Sequence, residues 1–575
     1  MVRLRIRFLT WLAAAAVLAT ACAPAEPSRS AASDHAPGAV GAETQRKSLT
    51  IAVQRELKSF ARFTGAAAGG GSPGAGNNAV AKIAHNYLAV REGSLRTYHP
   101  QLALDFPSVE RGTWRVNPDG SMDTTWSLHP NVVWHDGTPF TAEDLVFGLA
   151  LFSDTDYPVP PTERVRQMES ASAPDPLTFV VHWTGTNSTA TDPTDMDPLP
   201  RHLLGETYRT DKLAVLNSPY LTSDFVGLGP YRVQQWTEGV GIEFTRFDRY
   251  FRGRPAFDRV VVKYIADANA MLANMLAGAV DLVLAPSIQL DTAAEVKQRW
   301  AGTGNRVLIG LSGSQQFLRP QFRPAFAQPR NGAPQLAVRR ALYHGIDRAA
   351  VAEASSNGLA PPADSWIAPD DPIRAQFEPS IPKYPYDPRR AEMLLREAGW
   401  SRGGDGGLVD QGTGERFEGQ LAARPSTGAE RTLSIIAAGW KGLGVQMNIE
   451  VLSPTLAADR RTMGTQSFGL LSSFPPSIDA LPPIHSSLIA SDANRWTGTN
   501  FQGYSNPRVD ALIDQIIVTI DPREQLPLHR QLVAEAMGDV ALMPLYWEVE
   551  PTLVANGVKG VTLSNTWNLF DWDKE

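Results

Sequence analysis

The sequence is poor in the residues that would tie it to several common protein classes. Among its 575 residues there is a single cysteine, Cys22, so no internal disulfide can form. It contains 53 lysine and arginine residues against 60 aspartate and glutamate residues, a formal net charge of -7. Binding to nucleic acid requires a basic surface, and this composition argues against one.

Long apolar runs are also missing beyond the N-terminus. No later segment reaches the roughly 18 consecutive apolar residues of a membrane-spanning helix, so we expect a body that does not cross a membrane. Hydrophobic residues make up 43% of the chain and charged residues 20%, which is typical of globular proteins. A chain of 575 residues is too long for one ordinary core, so two or three domains are expected.

Signatures of catalysis are absent too. The ten histidines show no HExxH spacing, and Gly310–Ser314 lacks the final glycine of the G-x-S-x-G nucleophile elbow. Metal binding by His129 and His135 would require further ligands that the sequence does not identify. We therefore predict no catalytic residues, no metal site and no cofactor, and a secreted hydrolase remains the weaker alternative.

The N-terminus has the pattern of a secretory signal. Three arginines within the first seven residues precede an apolar stretch, Phe8–Ala19, which is too short to span a bilayer. The stretch ends in Leu-Ala-Thr-Ala-Cys and resembles a bacterial lipobox, in which Cys22 would receive a lipid. We predict a signal peptide over residues 1–21. The alternative is a plain signal peptidase site at or near Ala21.

Residues 22–47 follow with a different composition. They are rich in alanine, proline, serine and glycine and have almost no large apolar side chains, so they cannot bury enough surface to fold. We interpret this segment as a lipid-anchored flexible tether between the membrane and the folded body.

The apolar patterning of the body indicates mixed α/β structure. Residues 260–284 show a buried β-branched run, then apolar residues at helical spacing, then a second buried run. Such a strand–helix–strand crossover makes parallel strands. Just before it, Tyr231–Trp236 and Ile242–Phe247 predict an antiparallel hairpin. Asp387-Pro388, Asn506-Pro507 and Asp521-Pro522 each predict the start of a helix.

The segment Asn131–Leu145, NVVWHDGTPFTAEDL, places His135 and Asp136 ahead of two further acids and so suggests acid–base catalysis. The same letters fit a helix start. Thr141 and Asp144 have the spacing of a capping box, and Asp136-Gly137 is a turn dipeptide. We predict that the segment turns the chain and begins a helix, and that it performs no chemistry.

Seven segments, spread over nearly all of residues 48–575, form a recognisable set. They are HPNVVWHDGTPFTAEDLVF, GPYRVQQW, RFDRYFRGRPAFDRVVVKYIADANAMLANMLAGAVDLV, LAVRRALYHGIDRAAV, YPYDPRRAEMLLREAGW, FQGYSNPRVDALID and MPLYWE. Together they resemble the extracytoplasmic solute-binding protein family 5, the substrate-binding proteins of peptide-type ABC importers. The segments occur in family order, which makes the resemblance specific.

This resemblance implies an α/β, two-lobe periplasmic-binding-protein type II fold, with hinge strands and an additional subdomain inserted in the N-terminal lobe. The hinge strands would lie near residues 306–319 and 541–547. The expected ranges are 48–76, 205–305 and 545–575 for lobe I, 77–204 for the inserted subdomain and 306–544 for lobe II.

The resemblance also implies a function. The protein would be an extracytoplasmic receptor, lipid-anchored and monomeric, that closes over a peptide-like or other bulky organic solute. It would deliver that solute to an ABC permease driven by an ATPase. An oligosaccharide receptor of the same fold is the main alternative, and a sensor or adhesin with the same lobes is a third.

Peptide-binding members commonly hold the ligand's α-amine with an aspartate in a stretch resembling W-x-x-D-Y-x-D-P. The corresponding position here is Ser473, beside Phe474, and the nearest carboxylate is Asp479. An ammonium desolvated without a carboxylate partner would forfeit several kcal/mol. We therefore expect a ligand larger than a dipeptide that binds without depending on a free α-amine.

Further candidates for ligand binding come from two other regions. Trp496, Asn500 and Tyr504 lie in or beside a loop that lines the cleft in relatives, where tryptophan can stack on a ligand and asparagine can bond to it. Gln316 and Phe317 lie on the first hinge strand. For all five, structural packing is an equally good interpretation.

Overall fold

The computed structural model describes residues 47–61, 75–91, 98–157, 161–426, 428–474, 481–563, 566 and 568–575. The predicted signal peptide, residues 22–46 of the predicted tether with Cys22, and Asp479 lie outside these residues. Lys47, the last residue of the predicted tether, hydrogen-bonds to Asp258 and Asp573 of the folded body. The strands are β1 Ser48–Val53, β2 Ala89–Arg91, β3 Tyr98–Pro100, β4 Trp114–Val116, β5 Met122–Ser127, β6 Met168–Asp175, β7 Thr178–Trp183, β8 Tyr231–Thr237, β9 Gly241–Arg246, β10 Arg259–Tyr264, β11 Leu282–Val283, β12 Arg306–Pro320, β13 Trp400–Arg402, β14 Leu408–Asp410, β15 Glu418–Ala423, β16 Gln446–Val451, β17 Gly469–Phe474, β18 Met543–Val554, β19 Val558–Lys559 and β20 Asp573–Lys574. The helices are α1 Ala75–Ala84, α2 Ala142–Ser153, α3 Glu163–Gln167, α4 Arg201–Thr210, α5 Ala268–Leu276, α6 Leu290–Arg299, α7 Leu336–His344, α8 Arg348–Ser356, α9 Arg374–Phe377, α10 Pro388–Glu397, α11 Ala429–Gly442, α12 Pro454–Ala458, α13 Arg460–Gly464, α14 Pro507–Val518 and α15 Pro522–Gly538.

One ten-stranded sheet runs through both lobes in the order β16-β15-β17-β12-β18-β11-β1-β10-β9-β8. On one side, β1 pairs in parallel with β10 and β11. On the other, β15 pairs in parallel with β16 and β17. Helices connect these parallel strands, so the structure confirms the mixed α/β architecture.

The two long strands β12 and β18 join the halves of the sheet. They pair antiparallel from Arg306 opposite Val554 to Leu318 opposite Met543, and the register shifts between Leu311 and Gln315. β12 then pairs with β17 in one lobe, while β18 pairs with β11 in the other. The resemblance implied joining strands near residues 306–319 and 541–547; β12 spans Arg306–Pro320 and β18 spans Met543–Val554, and their action as a hinge stays a prediction.

Several local predictions are confirmed. β8 and β9 form the predicted hairpin, and β10, α5 and β11 form the predicted crossover. Asp387, Asn506 and Asp521 each accept a hydrogen bond from a backbone N–H in the first turn of the following helix. These caps satisfy N–H groups that would otherwise lack a partner.

The buried side chains form three large cores. The largest contains β12, β15 and β17 with helices α7, α8, α10, α11, α14 and α15. A second surrounds β1, β8, β9 and β10 and includes Ala79–Ala84 of α1. A third lies between the four-stranded sheet β4-β5-β7-β6 and α2. Among the described helices, none combines the length and the apolar character that crossing a bilayer requires.

The segment around His135 belongs to this third region and has the predicted structural role. The carboxylate of Asp144 accepts the backbone N–H of Thr141 at 3.0 Å and so closes the capping box of α2. Phe140 and Leu145, at either side of the box, are buried in the same core. Both ring nitrogens of His135 are used, one with the Gly229 carbonyl and the other with the Gly227 N–H.

Candidate ligand-binding site

A cavity of about 570 Å³ lies between the two lobes, next to the strand that joins them. This volume is within the range of about 300–1,000 Å³ that is typical of small-molecule sites. Its lining residues come from lobe I, from lobe II and from β18, and are Val53, Gln54, Arg55, Pro286, Ser287, Ile288, Gln289, Leu290, Ser355, Ser356, Ala360, Pro425, Ser426, Tyr546, Glu548, Val549, Glu550 and Pro551.

The position of the cavity follows from the sheet topology. β1 ends at Val53, β11 ends just before the loop that begins at Pro286, and β15 ends just before Pro425. In open α/β sheets, ligands bind outside the carboxyl ends of parallel strands, where the loops diverge. Within lobe I, the Gln54 N–H donates to the Ser287 hydroxyl at 3.0 Å, so two of these loops are held together.

Lobe II contributes hydroxyl groups to the opposite wall. The hydroxyls of Ser355 and Thr432 are 3.1 Å apart, and both hydrogen-bond to the Tyr546 hydroxyl. Burial raises the pKa of Tyr546, so this hydroxyl stays protonated at neutral pH and can donate or accept. The wall therefore combines an aromatic ring with a polar edge, which suits an organic ligand.

The hinge strand β18 places a carboxylate in the cavity wall. The Gln316 side-chain amide donates to Glu548 at 2.5 Å. Burial raises the pKa of Glu548, and the Gln316 hydrogen bond only partly offsets that effect. Among the described residues, Glu548 forms no ion pair with an arginine, lysine or histidine.

The lobes also touch directly beside the cavity. The Asn357 side-chain amide, at the C-terminal end of α8 in lobe II, donates to the Asp291 carboxylate in α6 of lobe I at 2.7 Å. Their chain neighbours Ser356 and Leu290 line the cavity. A hydrogen bond at this place forms only when the lobes are close together.

The predicted residues on β12 and β17 divide between the two faces of the sheet. Gln316 lies opposite Ser473, so both side chains are on the face of Glu548. Phe317 and Phe474 are on the other face, where their rings meet edge to face with centroids 4.9 Å apart. Ser473 is exposed, whereas Phe317 is buried in the core of lobe II.

Trp496, Asn500 and Tyr504, the three predicted loop residues, form hydrogen bonds within lobe II. The Asn500 amide donates to the carbonyls of Ile484, His485 and Tyr504 and accepts the Tyr504 N–H. The Tyr504 hydroxyl donates to Asp539 at 2.8 Å. The Trp496 indole N–H donates to Asp492 at 2.8 Å, and only 7% of the residue is exposed. None of the three lines the cavity between the lobes, and their role in ligand binding stays a prediction.

The sequence gives little indication of which residues line the cavity. The ends of β1, β11 and β15 could have been proposed from the rule for parallel strands, once the crossovers were identified. Glu548 is signalled only as one of two acids, with Glu550, in a largely apolar strand, MPLYWEVEPTLV. In the part of the chain that the structure describes, no three histidine, cysteine, aspartate or glutamate side chains are grouped as metal ligands.

Comparison with known proteins places this architecture in one family. Residues 97–494 match the family described as bacterial extracellular solute-binding proteins, family 5 Middle. The oligopeptide-binding protein AppA of Bacillus subtilis is 23% identical over 478 residues, which cover 79% of this chain and 81% of the relative.

Two solved structures show the same fold at low sequence identity. One is the oligopeptide-binding protein of Thermus thermophilus complexed with a pentapeptide, with a TM-score of 0.69, 20% identity, and coverage of 91% of this chain and 96% of that one. The other is NikZ of Campylobacter jejuni in complex with Ni(L-His), with a TM-score of 0.67, 20% identity, and coverage of 92% and 100%. The match to the family covers more than half of the sequence, and this chain therefore belongs to family 5 of the bacterial extracellular solute-binding proteins.

Proposed function

We propose that this protein is the extracytoplasmic receptor of an ABC importer and that it binds a peptide-like or other bulky organic solute between its lobes. The observation that carries the proposal is the cavity of about 570 Å³, which both lobes and the joining strand β18 line together. The relative from Bacillus subtilis, named as oligopeptide-binding, supports a peptide-like solute.

The mechanism is a shift in a conformational equilibrium. A solute that contacts both walls binds the closed arrangement more tightly than the open one, and it shifts the equilibrium only by that difference in affinity. The strands β12 and β18 connect the lobes, and the Asn357–Asp291 hydrogen bond adds a contact specific to closure. A permease that recognises the closed form would then receive only loaded receptor, with no chemistry performed on the solute.

Anchoring by Cys22 is part of the same proposal, since a tethered receptor stays near its permease. Replacing Cys22 with serine removes the thiol that would be lipidated, so we expect the variant to move from the membrane fraction to the soluble fraction. Fractionation followed by immunoblotting measures this. Membrane association that is unchanged in the variant would contradict the lipoprotein assignment.

The receptor proposal is tested by a thermal-shift screen of the purified protein against peptides, oligosaccharides and other organic solutes. A ligand that binds only the folded state adds about 2.7 kcal/mol to the free energy of unfolding at 100 times its Kd, and it therefore raises the melting temperature. For any solute that binds, Ser426→Trp places a large side chain on an exposed lining position of lobe II and should weaken binding.

The matched control is Ser223→Trp, at an exposed serine that does not line the cavity. If both variants bind the solute as the unmodified protein does, the cavity between the lobes is not the binding site. Small-angle scattering with and without the solute measures closure directly, and a radius of gyration that does not change would contradict the hinge mechanism.

A further inference from the structure

We propose that Glu548 binds a positively charged group of the solute, an ammonium or a guanidinium. This inference rests on the proposed receptor function and specifies the chemistry of the solute. From the sequence, we expect a ligand that binds without depending on a free α-amine, because Ser473 occupies the position of the aspartate in relatives. In this proposal a carboxylate on another strand takes the place of that aspartate.

Four side chains on three neighbouring strands, β17, β12 and β18, share one face of the sheet. Ser473 on β17, Gln316 on β12 and Tyr546 on β18 are cross-strand neighbours, so their side chains share one face of the sheet. Glu548 is two residues beyond Tyr546 and projects to the same face, where it meets the Gln316 amide and lines the cavity. The sheet thus presents a carboxylate two strands away from Ser473.

The Glu548 carboxylate has no counter-charge among the described residues. An ionised carboxylate removed from water needs either a counter-charge or several hydrogen bonds. Glu548 has one neutral donor, Gln316, and burial raises its pKa because no cation among the described residues compensates it. A carboxylate of this kind has unused acceptor capacity that a ligand cation can fill.

Charged side chains of both signs line the cavity. Of the described residues that line it, the charged ones are Arg55, Glu548 and Glu550. Arg55 is exposed at the lobe I side, whereas the two carboxylates lie on the joining strand between the lobes. Among these described lining residues, the cation is therefore an exposed side chain of lobe I, and it forms no ion pair with Glu548, whose charge is left to a cationic solute.

The position on β18 couples this contact to closure. Val554 at the end of β18 pairs with lobe I, and Met543 at its start pairs with β12 next to lobe II. A cation held by Glu548 is therefore fixed between the lobes, where the rest of the solute can reach both walls. Such a contact orients the solute for closure.

The test uses the full-length protein and three pools of probes. The first contains random pentapeptides with free amino termini, and the second contains N-acetylated pentapeptides without lysine or arginine. The third contains neutral maltodextrins. After gel filtration, mass spectrometry identifies the retained molecules, and calorimetry gives the affinity of each for the protein and two variants.

The variants are Glu548→Gln, which keeps the side-chain size and an acceptor for Gln316, and the control Glu353→Gln, at an exposed glutamate of α8 that does not line the cavity. We expect only cation-bearing probes to be retained. Glu548→Gln should reduce their affinity by about 30-fold or more, since removing the charge of a buried pair is costly. Glu353→Gln should change it by no more than about threefold, because this side chain is exposed and outside the cavity. The melting temperatures of the ligand-free variants report that both remain folded.

Other outcomes overturn the inference in distinguishable ways. Retention of acetylated peptides or maltodextrins with an affinity that Glu548→Gln leaves unchanged would overturn the role of Glu548 and leave the receptor function standing. A Glu548-dependent melting shift with sodium or calcium chloride alone would assign the carboxylate to a metal ion. No retention from any pool would overturn the receptor function and, with it, this inference.

Discussion

The segment at Trp134–Asp144 and the strand segment at Tyr546–Glu550 both withdraw ionisable side chains from water, with opposite consequences. His135 and Asp144 are buried, whereas Glu548 is half-buried. In the first, His135 and Asp144 find all their partners inside the protein. In the second, Gln316 is the one hydrogen-bond partner of Glu548 among the described residues, and Glu548 faces a cavity. A dense group of acids and histidines thus supports the structure, while an inconspicuous glutamate has capacity left for a ligand.

The largest effect that sharpens this comparison is expected from Asp144→Ala. The Asp144 carboxylate accepts hydrogen bonds from the N–H groups of Thr141 and Arg201 and from the Trp134 indole. Removing it leaves the buried Trp134 indole and two part-buried backbone N–H groups without an acceptor, so the free energy of unfolding should fall by about 3–5 kcal/mol. Urea unfolding followed by tryptophan fluorescence measures this change.

The control for that experiment is Glu143→Ala, one residue earlier. Glu143 is exposed and forms a surface ion pair with Arg201, so its removal should cost no more than about 0.5 kcal/mol. Equal effects of the two substitutions would show that Asp144 is not the structural acceptor described above.

The next effect concerns pH. Burial lowers the pKa of His135 to about 4, against an ordinary value of 6.5. Because the unfolded chain takes up the proton first, stability is lost as the pH falls from about 6.5 to about 4, by up to about 3 kcal/mol. Glutamine at this position cannot be protonated, so His135→Gln should flatten this part of the stability curve. Parallel curves for the two proteins would refute the assignment.

A smaller effect separates stability from binding in the same segment. Thr141→Ala removes a helix cap and should lower the free energy of unfolding by about 1 kcal/mol. His135→Ala and Asp136→Ala should leave the affinity for the solute within a few-fold, because neither residue lines the cavity. A thousandfold loss of affinity in a folded variant would instead assign this segment to the binding site.

The smallest effect is expected from Glu548→Gln without ligand. For an acid whose folded pKa is raised, ionisation favours the unfolded state, so the carboxylate destabilises the protein above that pKa and not below it. The neutral variant should therefore be more stable near pH 7 by about 0.5 kcal/mol, with no difference in acid. A less stable variant at pH 7 would mean that the carboxylate has a structural role as well.

Local structure was predictable from the sequence where neighbouring residues carry the signal. The capping box at Thr141, the caps at Asp387 and Asn506, and the hairpin β8–β9 depend on contacts within a few residues. The binding site was harder to predict from the sequence, because its residues are brought together from five separate segments. Gln316 was among the predicted residues, but its partner Glu548 is 232 residues away in the chain.

The sequence by itself determined the mixed α/β class and the family, because periodicity, capping signals and the family's segments all lie in consecutive residues. Only the tertiary structure decided which polar side chains are satisfied internally. Asn500 and Tyr504 are bonded within lobe II, and Glu548 faces the cavity between the lobes. The physical reason is that hydrogen-bond partners and burial arise from long-range packing, which spacing along the chain does not encode.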